Sequence, residues 1–485
     1  MTNEISSMHR TVRGQLVEAC EPFDKRRPSG YRFARGLVSG SMALLLLQCA
    51  WAGIPIQRWS QASGVQVYLV ESHAIPMVDL QIDFDAGARR DPADKAGLAS
   101  VTAGMTARGV QAGKGSTALG VLEPALDENG LSEAWVDLGA TFGASAGSDR
   151  MSFSLRSLTY PDLLSKAVQL AARQLGEPSF PPDIWLRERE RLNAALKESN
   201  TRPGTVAGRV FASAVYAAHP YGFEMTEATL SRISVADMKG LYGNLITPCR
   251  AKVSIVGAVT RAQADALVGQ LFSRLQAGSG IACAPLAAVP DVAALAGPQE
   301  KRIDFDSAQA HVLLGQPGYK RDDPDFFALT VGNYVLGGGG FVSRLTSEVR
   351  EKRALSYSVY SYFSPGLHAG AFTIGLQTRP DQARLALEVS REVLARFVQE
   401  GPTQAELDAA KANLVGGFPL LIDSNRKLLG NVANIAWNRL ALDYLDSWTQ
   451  QVERVTVADV RAAFDRKLQP GKMVTVVVGA TDSAK

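Results

Sequence analysis

Two stretches of this chain align without a gap at a constant offset of 222 residues: "SRISVADMKGLYGNLITPCRAKVSIVGA" (231–258) and "ERVTVADVRAAFDRKLQPGKMVTVVVGA" (453–480). Arg232, Asp237, Pro248, Gly257 and Ala258 fall on Arg454, Asp459, Pro470, Gly479 and Ala480. Each copy reads as a capped helix, a Pro-marked turn, and a buried strand ending in Gly-Ala. Ser234 and Thr456 each stand three residues before an Asp, the spacing of a reciprocal cap between side chain and backbone. Earlier in each copy "DFDAGARRDP" (83–92) resembles "GQPGYKRDDP" (315–324), so the matches run in the same order. A duplicated chain must build one supersecondary plan twice.

The expected organisation is an N-terminal extension over 1–52, a first half over 55–285, an Ala/Pro-rich linker over 277–298 and a second half over 298–485. "VQVYLVES", "MVDLQIDFDAG" and "RMSFSLRSL" alternate apolar and polar residues at the period of a strand. "DLLSKAVQLAARQL" and "PPDIWLRERERLNAALKES" carry charge on one helical face. This predicts an α+β fold, each half a mainly antiparallel sheet with helices packed on one side, and not a doubly wound parallel sheet.

At 485 residues the chain is too long for one hydrophobic core, and 46% apolar with 20% charged residues is ordinary for a soluble globular protein. A net charge of +3 over this length, with no long Lys/Arg run, points away from a nucleic-acid surface. Four cysteines exclude a disulfide scaffold. Arg32 and Arg35 precede the uncharged, Leu-rich "GLVSGSMALLLLQCAWAG", which ends in Ala50-Trp51-Ala52. A basic flank, an apolar stretch and an A-x-A site read as an export signal, which predicts a periplasmic protein. The alternative is an uncleaved membrane anchor, since Gly36 to Gln57 carries no charge. Gln48 before Cys49 argues against a lipoprotein site. Cleavage after Ala52 would leave Cys249 and Cys283, which can pair in an oxidising compartment and lack metal-ligand spacing.

The strongest chemical signal is "GGGGFVSRLTSEVREKRALSYSVYSYF" (337–363). Gly337, Gly338, Gly339 and Gly340 allow another backbone to approach closely. They lead into a helix carrying Arg350, then a strand in which Tyr357, Val359 and Ser361 are expected to share one face. Arg and Tyr together offer donors to a carbonyl or a developing oxyanion. Read on residue chemistry alone, the same stretch is equally a turn, a solvated Arg and a core Tyr.

This stretch resembles the M16 metallopeptidases, the family of pitrilysin, insulinase and the mitochondrial processing peptidase. The shared pattern is a Gly-rich turn, "SRL", "REK" and an aromatic-rich strand, with an Arg and a Tyr seven residues apart. "HPYG" (219–222) and the duplication itself are further shared elements, and the resemblance spans about 60–480. It implies two M16-type halves that together form half of a clam-shell. Active members carry a helix reading Gly-Leu-Ala-His-x-x-Glu-His-Met, whose two His hold zinc while the Glu acts as general base. This chain reads "GLASVTAGM" (97–105): Ser100 and Gly104 stand at the His positions and Ala103 at the Glu position. Of its five histidines, His73, His219, His311 and His368 lie outside the export segment, and no two stand at ligand spacing. Glu198 lies where the family places a downstream carboxylate ligand, but one carboxylate alone makes no zinc site. No cofactor is expected in this chain.

Two motif matches fail. "GASAG" (143–147) has the form of a nucleophile elbow around Ser145, but a second strand follows instead of a helix. "AGKGST" (112–117) places Gly115 where a phosphate loop needs Ser or Thr. The resemblance therefore implies a zinc-free subunit that pairs with a zinc-bearing sibling and lends Arg350 and Tyr357 to peptide hydrolysis, with the four glycines admitting the peptide. The alternative is a non-enzymatic peptide-binding or scaffold protein, the fate of the M16 relatives in the respiratory bc1 complex.

Overall fold

The computed structural model describes residues 53–113, 123–275 and 283–479. The export segment (1–52), residues 114–117 of the phosphate-loop near miss, residues 277–282 of the linker, and Ala480 lie outside the described residues.

The first half contributes β1 (Gln57–Ser60), β2 (Gln66–Glu71), β3 (Met77–Phe84), β4 (Gly109–Val110), β5 (Leu126–Asp127), β6 (Thr141–Ala146), β7 (Met151–Leu158) and β8 (Lys252–Gly257). β4 and β5 make a small ribbon, and the other six form one sheet in the order β1-β2-β8-β3-β7-β6. The second half contributes β9 (Gln299–Ile303), β10 (Ala310–Pro317), β11 (Ser358–Phe363), β12 (Ala371–Thr378) and β13 (Val474–Val478), ordered β11-β12-β10-β13-β9. In each sheet a single pair is parallel, β2 with β8 and β9 with β13, and every other pair is antiparallel. Matching β2, β8, β3, β7 and β6 to β9, β13, β10, β12 and β11 makes the two orders identical. The duplication seen in the sequence is thus a duplication of topology.

The helices repeat as well. Pro203–Tyr216 and Val235–Leu245 recur as Asn425–Asn438 and Val457–Lys467, at the same offset of 222. Both reciprocal caps form: Ser234 Oγ accepts from Asp237 N at 3.2 Å while Asp237 Oδ2 accepts from Ser234 N at 2.9 Å, and Thr456 and Asp459 repeat this at 3.1 and 2.9 Å. These bonds satisfy amides that have no partner inside the first helical turn.

One face of each sheet packs on helices of its own half. In the first half Val67, Leu69, Leu80, Ile82, Val253 and Ile255 pack with helices that include Pro161–Gly176 and Arg261–Leu271. In the second, Val312, Leu314, Ile374 and Val477 pack with Phe326–Asn333, Ala383–Glu400 and Val457–Lys467. The opposite face is covered by exchange. The Asn425–Asn438 helix of the second half sets Leu429, Val432 and Ile435 against Tyr68, Val70 and Val256 of the first sheet. The Pro203–Tyr216 helix of the first half sets Ala207, Phe211 and Val215 against Val474, Val476 and Val478 of the second. Strands covered on both faces have no solvent side, so β13 (VTVVV) is buried throughout and β2 is buried at four consecutive positions. Of the three strands read from sequence as alternating, β7 keeps the alternation, with Met151, Phe153 and Leu155 inward.

The described part of the segment joining the halves is pinned at several points. Cys283 is disulfide-bonded to Cys249, and Arg250 and Arg90 donate to the Ala284 and Ala287 carbonyls. Asp291 then reaches the second half, 2.7 Å from Lys320 Nζ and 3.1 Å from His368 Nδ1. Beside it Asp149, in the β6–β7 turn, accepts from the Tyr221 hydroxyl at 2.6 Å and from Leu367 N at 3.0 Å. Tyr221 belongs to "HPYG", and His219 of the same motif is buried with its ring 5.0 Å from that of His368. The motif is a latch between halves.

Candidate functional site

Two places carry the residues singled out by sequence. The first is the Leu98–Met105 helix. Gly97 precedes it at φ +102°, a left-handed conformation that favours glycine. Asp91 caps it from outside, accepting from Gly97 N and Ala99 N at 2.9 Å each. Burial pushes the Asp91 carboxyl up to about 6, although the amides of Ala99, Gly97 and Leu98 pull the other way. Ser100 and Gly104 lie exposed, one helical turn apart, and Ala103 is buried. A Cβ at Gly104 would meet nothing within 4 Å, so packing does not demand glycine there.

These side chains do not fit a zinc ion. Ser100, Ala103 and Gly104 supply neither an imidazole nor a carboxylate, and among the described residues no group of three or more His, Cys, Asp or Glu converges on a common point. Glu198 is an exposed helix residue 3.6 Å from Arg202. His219 Nδ1 accepts from Tyr221 N at 3.1 Å, which commits that ring to the latch. Ser145 sits within β6, in a strand-turn-strand context.

The second place is the glycine turn, with the segment that runs on from it to Tyr357. Wide i→i+5 turns flank the glycines: Gly339 N–H reaches the Tyr334 carbonyl at 2.8 Å and Lys352 N–H the Ser347 carbonyl at 3.0 Å. The four glycines divide by role. Gly337 is buried, and a Cβ on it would lie 2.5 Å from both Ser361 N and Ser361 Oγ. It brings this turn onto the edge strand β11, where Asn333 and Ser361 exchange hydrogen bonds at 2.7 and 3.1 Å. Gly338 and Gly340 face solvent, Gly339 is half-buried, and Gly340 turns the chain at φ +60°.

Arg350 and Tyr357 are brought together, with the guanidinium carbon 4.7 Å from the ring centroid. Tyr357 does not share a face with Val359 and Ser361. It is 81% exposed while those two are buried. The ladder starts at Ser358 opposite Gln377, and Ser356 Oγ donates to the Ser358 and Gln377 carbonyls, both at 2.6 Å, turning the chain just before the strand. Tyr357 therefore precedes the pleat that would have aimed it inward. Sequence reasoning also missed Phe341, whose ring lies 4.7 Å from Arg350 on the guanidinium carbon. Its only signal was a large apolar residue directly after four glycines.

The neighbouring cations are all paired: Arg344 with Glu406, and Lys352 and Arg353 with Glu348. Among the described residues no acceptor binds the Arg350 guanidinium or the Tyr357 hydroxyl, so both keep their donors. Such a pair can bind a carbonyl or stabilise an oxyanion.

A family model described as the peptidase M16 inactive domain matches residues 232–414. The crystal structure of a peptidase M16 inactive domain from Pseudomonas fluorescens is similar over 89% of this chain and 99% of its own, with a TM-score of 0.81 and 34% identity. The chain belongs to the M16 peptidase family. Among M16 relatives, an uncharacterized zinc protease of Streptomyces coelicolor is 30% identical over 281 residues, 57% of this chain and 60% of its own length. The match thus spans about three-fifths of that relative. A non-peptidase homolog of Helicobacter pylori, YmxG, is 25% identical over 422 residues, 83% of this chain and 89% of its own. M16 relatives thus bear names on both sides of the question of activity, and the residues of this M16 chain must decide it.

Proposed function

We propose that this chain is the zinc-free subunit of a two-subunit M16 metallopeptidase, exported to the periplasm. A sibling carrying an intact His-x-x-Glu-His helix supplies the metal and the general base. This chain supplies Arg350 and Tyr357, which hold the substrate's backbone carbonyl and stabilise the negative charge that develops on it as the peptide bond is attacked. The observation that carries the reading is the pairing of Arg350 and Tyr357 at 4.7 Å with their donors uncommitted, in a chain whose Ser100, Ala103 and Gly104 cannot hold zinc. The exposed Gly338 and Gly340 leave room for an extended peptide beside that pair. The Cys249–Cys283 disulfide supports an oxidising compartment.

The test is peptidase activity on a quenched fluorescent peptide mixture with zinc present, for this chain, its sibling, and both together. Activity is expected only on mixing. Arg350→Ala or Tyr357→Phe is expected to lower kcat by about 10²-fold, the usual effect of removing one oxyanion donor. If activity is the same with and without this chain, the shared site is wrong and a peptide-binding or scaffold role takes its place.

A further inference from the structure

Phe341 is 69% exposed, in a turn where a polar residue would cost nothing. Its ring and that of Tyr357 both lie 4.7 Å from the Arg350 guanidinium carbon, and no carboxylate or carbonyl among the described residues holds that group. A guanidinium is planar and all five of its N–H bonds lie in the plane. Stacking on a ring restrains its face and leaves its edge free, whereas an ion pair would restrain it by occupying the edge. Arg344, Lys352 and Arg353 are restrained in the second way, through Glu406 and Glu348. Arg350 has the two ring contacts and no ion pair on its edge. Gly340, at φ +60° with open space around its missing Cβ, turns the chain where Phe341 begins.

We infer that Phe341 is a positioning residue: it holds Arg350 by its face so that the edge donors stay aligned and available to a bound peptide. The functional half of this inference rests on the reading of Arg350 given above, but the stack itself can be tested without it. In the isolated chain, the rate of Arg350 modification by phenylglyoxal is followed by peptide mass spectrometry after Glu-specific digestion, with exposed Arg384 as internal reference. In Phe341→Leu, which keeps an apolar side chain but no ring, Arg350 is expected to react about two- to fivefold faster, the range for losing an exposed cation–π contact, with Arg384 unchanged. In Phe341→Trp it is expected to react as in the native chain. Mixed with the zinc-bearing sibling, Phe341→Leu is expected to lower kcat with little change in KM, and Phe341→Trp to restore it.

An unchanged labelling rate in Phe341→Leu overturns the inference. Faster labelling with full activity overturns its functional half, provided Arg350→Ala is itself inactive. Faster labelling with a fully active Arg350→Ala mixture instead sinks the shared-site reading and leaves the hold of Phe341 on Arg350 standing.

Discussion

At the scale of single residues, the two carboxylates that secure the candidate segments are tuned in opposite directions. Glu406 is buried enough to resist ionisation, but the Arg344 guanidinium and the Thr403 amide outweigh this and hold its carboxyl down at about 2. Asp91 has amides but no cation, and burial wins, leaving it at about 6. For Asp91 the folded value lies above the unfolded one near 3.8, so the native state binds the extra proton between them. Its contribution to stability is present below pH 4 and is lost as pH rises through 6. Relative to Asp91→Asn, the native chain is expected to lose about 2–3 kcal/mol between pH 4 and pH 7, read from urea unfolding at each pH. A parallel response in the two proteins would show that Asp91 is ionised as easily in the fold as out of it.

At the scale of elements, the glycine turn separates two requirements that look alike in the sequence. Gly337 is there because β11 is 2.5 Å from where its Cβ would be, and Gly340 because the chain turns at φ +60° with nothing nearby. Gly337→Ala is therefore expected to cost about 1–3 kcal/mol through overpacking, and Gly340→Ala only about 1 kcal/mol through backbone conformation, compared by thermal or urea unfolding. If the two cost the same, the close approach at Ser361 is not tight. Much of this level was legible beforehand. The caps at Ser234 and Thr456 and the strand β7 follow from local spacing, and they formed as read. Tyr357 was misplaced because period-two counting has no knowledge of where a ladder begins, and Ser356 ends the turn one residue later than the count assumed. Phe341 was missed because a cation–π contact nine residues apart across a turn leaves no periodic trace. The bare helix at Ser100, Ala103 and Gly104 was legible only through family resemblance, since nothing in "GLASVTAGM" taken alone speaks of metal.

At the scale of the whole molecule, the exchange of helices between halves was invisible to sequence patterning. The Val-rich run VTVVV announces a strand buried on both faces, but not that the second cover comes from more than 250 residues away in the Pro203–Tyr216 helix. Phe211, 6% exposed, rests over Gly315 of β10, where a Cβ would lie 2.8 Å from its Cζ. Phe211→Ala is expected to destabilise by about 3–5 kcal/mol, and to do so in one cooperative transition, although Phe211 belongs to the first half and the sheet it covers to the second. A separate early transition for the second half would mean that the helix merely leans on that sheet. Residues 53–275 and 283–479 expressed as separate chains are each expected to expose an uncovered sheet face, a bare apolar surface of the kind that aggregates.

The exchange also bears on history. Two tandem copies of a gene ordinarily remain separable, each able to drift, be lost or serve a new purpose alone. Here each copy has become the other's missing wall. A bulkier residue at Gly315 would meet the Phe372 carbonyl within its own sheet and the Phe211 ring from across the linker, so that neither copy is free to change there alone. The doubling that made this protein acts as a ratchet, turned once and no longer free to run back.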